Sequence, residues 1–148
     1  MDSPIVDLVS AATYHPCVLL AHPDVGELAR AAEALAARYG WPRLAVGQAL
    51  SAALLAEPQA SRSHTASRWL ATRLAELAPG PAVCSEIDLL FTPAWALDPL
   101  VLFRNACRAT RLVVMWPGIY VNDVLAYATP QHSHFRTWRH PGVEIRGL

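Results

Sequence analysis

The chain has 148 residues, 53% of them hydrophobic and 16% charged, with twelve acidic side chains against twelve basic ones and a formal charge of zero. That balance excludes a disordered chain and gives no support to nucleic-acid or anionic-membrane binding through bulk charge. The length suits one folded domain with a core of its own, so residues 1–148 are expected to form a single unit, with an apolar surface or partner interface. All twelve basic residues are arginine, and lysine is absent.

Asp2 and Asp7 stand where a secretory signal would carry basic residues, so no such signal is expected. The 13 uncharged residues between Arg43 and Glu57 are too few to span a bilayer. Cys17, Cys84 and Cys107 lie in separate apolar runs with no Cys-x-x-Cys pair, the pattern of buried thiols in a reducing cytosol rather than of a zinc or redox motif. A soluble, cytoplasmic protein is therefore expected.

Cys17 to Ala21 predicts a strand buried on both faces. Asp24 then offers a helix N-cap, with Glu27 three residues on as in a capping box. Leu28, Ala31, Ala32, Leu35 and Tyr39 recur at helical spacing, and Gly40 closes the helix. Strand, short turn and helix make the frame of a phosphate-binding P-loop, whose working form needs Gly-Lys-Ser/Thr at the helix start. Here His22-Pro23-Asp24-Val25-Gly26-Glu27-Leu28 occupies the turn, with Glu27 at the lysine position and Leu28 at the hydroxyl position. A carboxylate in the first helical turn suits the helix dipole but repels a triphosphate. An ordinary capped helix after a strand explains the same residues equally well.

Arg43 to Val46 predicts a second short strand, Gln48 to Ala56 a helix ended by Pro58, and residues 57–65 a polar loop. Ala66, Leu70, Leu74 and Leu77 form a helical stripe that stops before Pro79-Gly80-Pro81. Ala82 to Cys84 is a second buried strand. It leads into Ser85-Glu86, where an ATPase would place a magnesium-binding Asp followed by the water-polarising Glu. Serine at the first of these positions weakens any metal site.

Asp98-Pro99 is a helix start, a capping carboxylate followed by proline. Leu100, Phe103 and Cys107 face one way, while Arg104, Arg108 and Arg111 fall at i, i+4 and i+7 on another face. That arginine stripe is either a solvated surface or a contact for phosphate. Leu112 to Trp116 is a third buried strand, expected to end at Pro117-Gly118. Asn122-Asp123 predicts a hairpin between Ile119–Val121 and Val124–Tyr127, and Val143 to Ile145 a last strand. His132, His134 and His140 lack acidic or cysteine partners near them in sequence, so they are expected to be surface histidines and no metal is expected. Apolar strands separated by helices indicate an α/β, three-layer fold with a mainly parallel sheet.

The ordered series Glu86-Ile87-Asp88-Leu89-Leu90-Phe91, Asp98-Pro99-Leu100, Trp116-Pro117-Gly118-Ile119-Tyr120, Leu125-Ala126-Tyr127-Ala128, Pro130, His132 and Phe135-Arg136 resembles the BrxF family. Members of that family are small P-loop proteins of type 3 BREX (bacteriophage exclusion) systems. The resemblance covers roughly residues 15 to 138. It implies a P-loop NTPase-like fold of the AAA+/ASCE type and a place in a phage-defence assembly. The other proteins of that system would be the partners, with homo-oligomerisation as a further option. It also implies sensor or finger roles at Arg108 and Arg111. The departures at Glu27, Leu28 and Ser85 point to a non-hydrolysing or weakly nucleotide-binding subunit, with no cofactor expected. Two alternatives stay open: a divergent ATPase that binds ATP and magnesium with arginines from a neighbour, and an arginine-patch DNA-binding adaptor.

Overall fold

The computed structural model describes residues 11–148, so the expectation built on Asp2 and Asp7 lies outside the described residues. After a helical turn at residues 11–14, seven strands run β1 (Cys17–His22), β2 (Arg43–Ala45), β3 (Ala82–Ser85), β4 (Leu112–Val121), β5 (Val124–Tyr127), β6 (Arg136–Arg139) and β7 (Glu144–Gly147). Four helices join them: α1 (Val25–Tyr39), α2 (Val46–Leu54), α3 (Arg62–Glu76) and α4 (Pro99–Ala106). The sheet order is β2-β3-β4-β1-β7, all parallel, and β5 and β6 extend it from β4 as antiparallel strands. The expected α/β architecture with a mostly parallel sheet is what the chain adopts.

β1, β3 and the Leu112–Trp116 part of β4 are apolar because both of their faces are covered. On one face Val18, Leu20, Val83, Val113 and Met115 pack against Leu28, Ala31, Ala32 and Leu35 of α1. On the other, Leu19, Cys84, Val114 and Trp116 meet Leu50 of α2, Leu70 and Leu74 of α3 and Phe103 of α4. Alternate residues of one strand thus serve two cores. Cys17, Cys84 and Cys107, far apart in sequence, fall in the same cluster, all buried and free. Burial, and then the neighbouring Cys17, pushes the Cys84 thiol up to about 12. A hydrogen bond with Cys17 and burial raise that of Cys107.

Several boundaries differ from the sequence expectation, each for a local reason. Residues 57–65 are not all loop: Gln59–Ser61 is a 3-10 turn and α3 begins at Arg62. The Ser61 hydroxyl donates to Pro58 O at 3.1 Å and Arg62 Nε to Glu57 O at 3.3 Å, which closes the chain into helix early. The second helix starts at Val46, directly at the end of β2, and stops at Leu54. β4 does not end at Pro117-Gly118 but continues to Val121. Up to Pro117 it pairs with β1, and from Gly118 it pairs with β5, so the dipeptide is a crossing point between the parallel and antiparallel parts. The Asn122-Asp123 hairpin forms as expected, both residues having positive φ (53° and 61°). The last strand is Glu144–Gly147, starting one position and ending two positions later than the expected Val143 to Ile145. β6 had no clear signal, because its alternate residues Thr137 and Arg139 are exposed and polar.

The arginine stripe is also corrected. α4 stops at Ala106, so Arg104, Arg108 and Arg111 do not share one helical face. Arg108 lies exposed in the following turn. Arg111 sits just before β4, where its Nη1 donates to Ala12 O at 3.0 Å and Thr13 O at 3.3 Å.

Candidate functional site: the turn after β1 and the cleft beside it

Only Pro23 and Asp24 separate the end of β1 from the start of α1. The Asp24 carboxylate Oδ1 accepts from Gly26 N–H at 2.8 Å and from Glu27 N–H at 3.3 Å. Those are the orphan amides of the first helical turn, the groups that hold phosphate in an anion-binding loop. The Asp24 N–H donates to His22 Nδ1 at 2.9 Å. This replaces the return half of the expected capping box, because Glu27 turns away to pair with Arg30. The turn is therefore closed by its own side chains, and the residue at the lysine position is a carboxylate already paired with Arg30.

The Ser85-Glu86 pair sits at the end of β3. Ser85 is only 2% exposed, and its hydroxyl accepts from Arg43 Nε at 3.2 Å. Glu86 follows in the left-handed region (φ 55°), which is costly for a non-glycine residue. Gly47 makes room for it, since a Cβ there would lie 3.2 Å from Glu86 O and 3.3 Å from Glu86 Oε1.

Because the strands are parallel, their carboxyl ends lie together, and open α/β sheets place ligand sites there. A cleft of about 880 Å³ occupies this position. One wall is Val25, Leu28 and Ala29 of α1, and the next is Gly47, Gln48 and Ser51 of α2. Ser85, Met115 and Pro117 also line it, along with Glu86, Asp88 and Leu89 from the segment after β3. Tyr127 at the end of β5 and His132 and His134 beyond it also contribute. Of the residues singled out in the turn, Val25 and Leu28 line the cleft, while His22, Pro23, Asp24, Gly26 and Glu27 do not. Arg108 and Arg111 are not part of it either.

The Tyr127 hydroxyl donates to Asp88 Oδ2 at 3.2 Å. Burial, and then the Asp88 carboxylate, hold that phenol well above its ordinary range. The Tyr127 ring stacks on Phe91 with centroids 3.7 Å apart, and His132 meets it edge-on at 5.7 Å. His134 N–H donates to His132 Nδ1 at 2.9 Å, so neutral His132 carries its proton on Nε2. Sequence reasoning missed Asp88–Tyr127 as a pair. The signal available was an acidic residue after a strand and an aromatic one at the end of another, which says nothing of their meeting.

Among the described residues no group of three or more His, Cys, Asp or Glu is placed to hold a metal ion, and no helix is long and apolar enough to cross a membrane. No family model, no curated protein and no solved structure matches this chain.

Proposed function

We propose that this chain is a P-loop-type subunit that has lost phosphate chemistry and acts through protein contacts, as a component of a BREX-type phage-defence assembly. The observation that carries the reading is the Asp24 carboxylate seated on the Gly26 and Glu27 amides. An internal carboxylate fills the anion position, and Glu27 beside it, paired with Arg30, supplies no countercharge for a phosphate. The sheet order supports the P-loop part: β4 lies between β1, which leads into the turn, and β3, which ends at Ser85-Glu86. An intervening strand between those two is the arrangement of the AAA+/ASCE type.

The residues that carry the family resemblance have physical work in the second half of the fold. Asp98 caps α4 through Val101 N–H and accepts from Trp138 Nε1 at 3.1 Å. Trp116 and Gly118 hold the β4–β5 crossing, and Tyr127 meets Asp88. The finger roles suggested for Arg108 and Arg111 gain less: Arg111 is already bound to the carbonyls of Ala12 and Thr13.

The test has two parts. Calorimetry with ATP and magnesium is expected to give no binding tighter than roughly 100 μM, about −5.5 kcal/mol. Co-expression with the other proteins of a type 3 BREX system is expected to yield a complex that survives size exclusion. Tight nucleotide binding overturns the first half of the reading, and elution apart from every component overturns the second.

A further inference from the structure

We propose that the cleft at the carboxyl ends of the parallel strands binds a small organic cation, an amine or guanidinium carried on an apolar or aromatic body. The inference is independent of the assembly reading and turns on Glu86 and Asp88 rather than on the Asp24 carboxylate.

Its size, about 880 Å³, is that of a small-molecule site. Leu28, Leu89, Met115 and Pro117 give it apolar walls; among its polar groups, which include Gln48, Ser51 and Thr92, the charged acceptors are the exposed carboxylates of Glu86 and Asp88 beside the Tyr127 phenol. Neither carboxylate forms an ion pair among the described residues, although the chain has twelve arginines. No arginine lines the cleft: Arg43 reaches Ser85 but does not border the space. Clefts of one charge sign with low-dielectric walls focus their field on a ligand of the opposite sign. Among the described residues, His132 and His134 are the only basic groups on the lining. A phosphate ester would meet two carboxylates here, whereas an ammonium or guanidinium would meet their acceptor oxygens over an apolar bed.

Tryptamine is the probe, compared with 3-ethylindole and indole-3-propionate, which share its ring and differ in charge. Binding is followed through the ¹³C-labelled methyl group of Met115 in the full chain. Tryptamine is expected to shift that signal saturably and at least tenfold more tightly than 3-ethylindole, with indole-3-propionate weakest. The Glu86→Gln/Asp88→Asn double variant, checked for folding by its thermal melt, is expected to bind tryptamine no better than 3-ethylindole. Equal affinity for the three compounds, a preference for the anion, or no saturable shift with any of them overturns the proposal. Because the readout is Met115 rather than the amides of Gly26 and Glu27, its failure is distinct from unexpected nucleotide binding at the turn.

Discussion

The indole N–H of Trp116 donates to the carbonyl oxygen of Ala126 at 3.0 Å, and a Cβ placed on Gly118 would stand 1.8 Å from that same oxygen. One carbonyl therefore explains both ends of the Trp-Pro-Gly segment. The indole satisfies a buried acceptor, and the glycine lets β5 approach as β4 leaves the parallel sheet. Gly118→Ala is expected to destabilise the fold by about 3 kcal/mol through overpacking against backbone, read as a fall in the urea midpoint. Trp116→Phe keeps much of the apolar volume but leaves the Ala126 carbonyl unpaired, at a cost of about 1–3 kcal/mol.

Asp24→Ala removes the cap of α1 and is expected to cost about 1 kcal/mol in chemical denaturation. Freeing the amides of Gly26 and Glu27 leaves the Glu27 carboxylate in place, so the variant is still expected to show no nucleotide binding in calorimetry. A gain of tight ATP binding on this single substitution would mean that Asp24 alone, and not the sign of the whole turn, keeps phosphate out.

The two arginines given finger roles by resemblance are expected to behave differently. Arg111→Ala loses hydrogen bonds to Ala12 O and Thr13 O, and with the arginine exposed to solvent the expected cost is roughly 1 kcal/mol. Arg108→Ala is expected to stay within about 0.5 kcal/mol of the parent, as surface substitutions usually do. Thermal melts of the two variants side by side make the comparison.

Tyr127 gives a pH dependence with a definite sign. Its phenol is raised in the folded state by burial and by Asp88, so folding favours the protonated form. The contribution is fully present below the unfolded phenol pKa of about 10 and is lost as pH climbs above it toward the folded value. Denaturation midpoints measured from pH 8 to 11 are expected to fall at the alkaline end, and to fall less steeply in Tyr127→Phe. The raised phenol of Tyr120, held by Asp123 at the surface, remains in that variant as an internal comparison.

Much of this architecture is legible in the sequence because it is locally determined. The uniformly apolar runs at Cys17, Ala82 and Leu112 become β1, β3 and β4, and Asp24 and Asp98 cap the helices they precede. Asn122-Asp123 makes its hairpin because both residues tolerate positive φ. What escapes is set by contacts across the chain. The pairing of Asp88 with Tyr127 spans 39 residues, and that of Arg111 with Ala12 spans 99. Neither leaves a periodic trace. β6 escapes because its Trp138 reaches Asp98 from a short strand whose other residues are polar. The candidate cleft is half legible: Ser85 and Glu86 stand out by their place after a strand, whereas Tyr127, His132 and His134 read as a strand end and surface histidines and Asp88 carries no signal of its meeting with Tyr127.

The most direct test of the central claim is an NMR titration of the Gly26 and Glu27 amide signals with ATP and magnesium. If the Asp24 carboxylate already occupies them, both signals stay in place up to millimolar nucleotide. A saturable shift of both amides with a Kd below about 100 μM would contradict the account, because it would place phosphate where the chain's own carboxylate is held to sit.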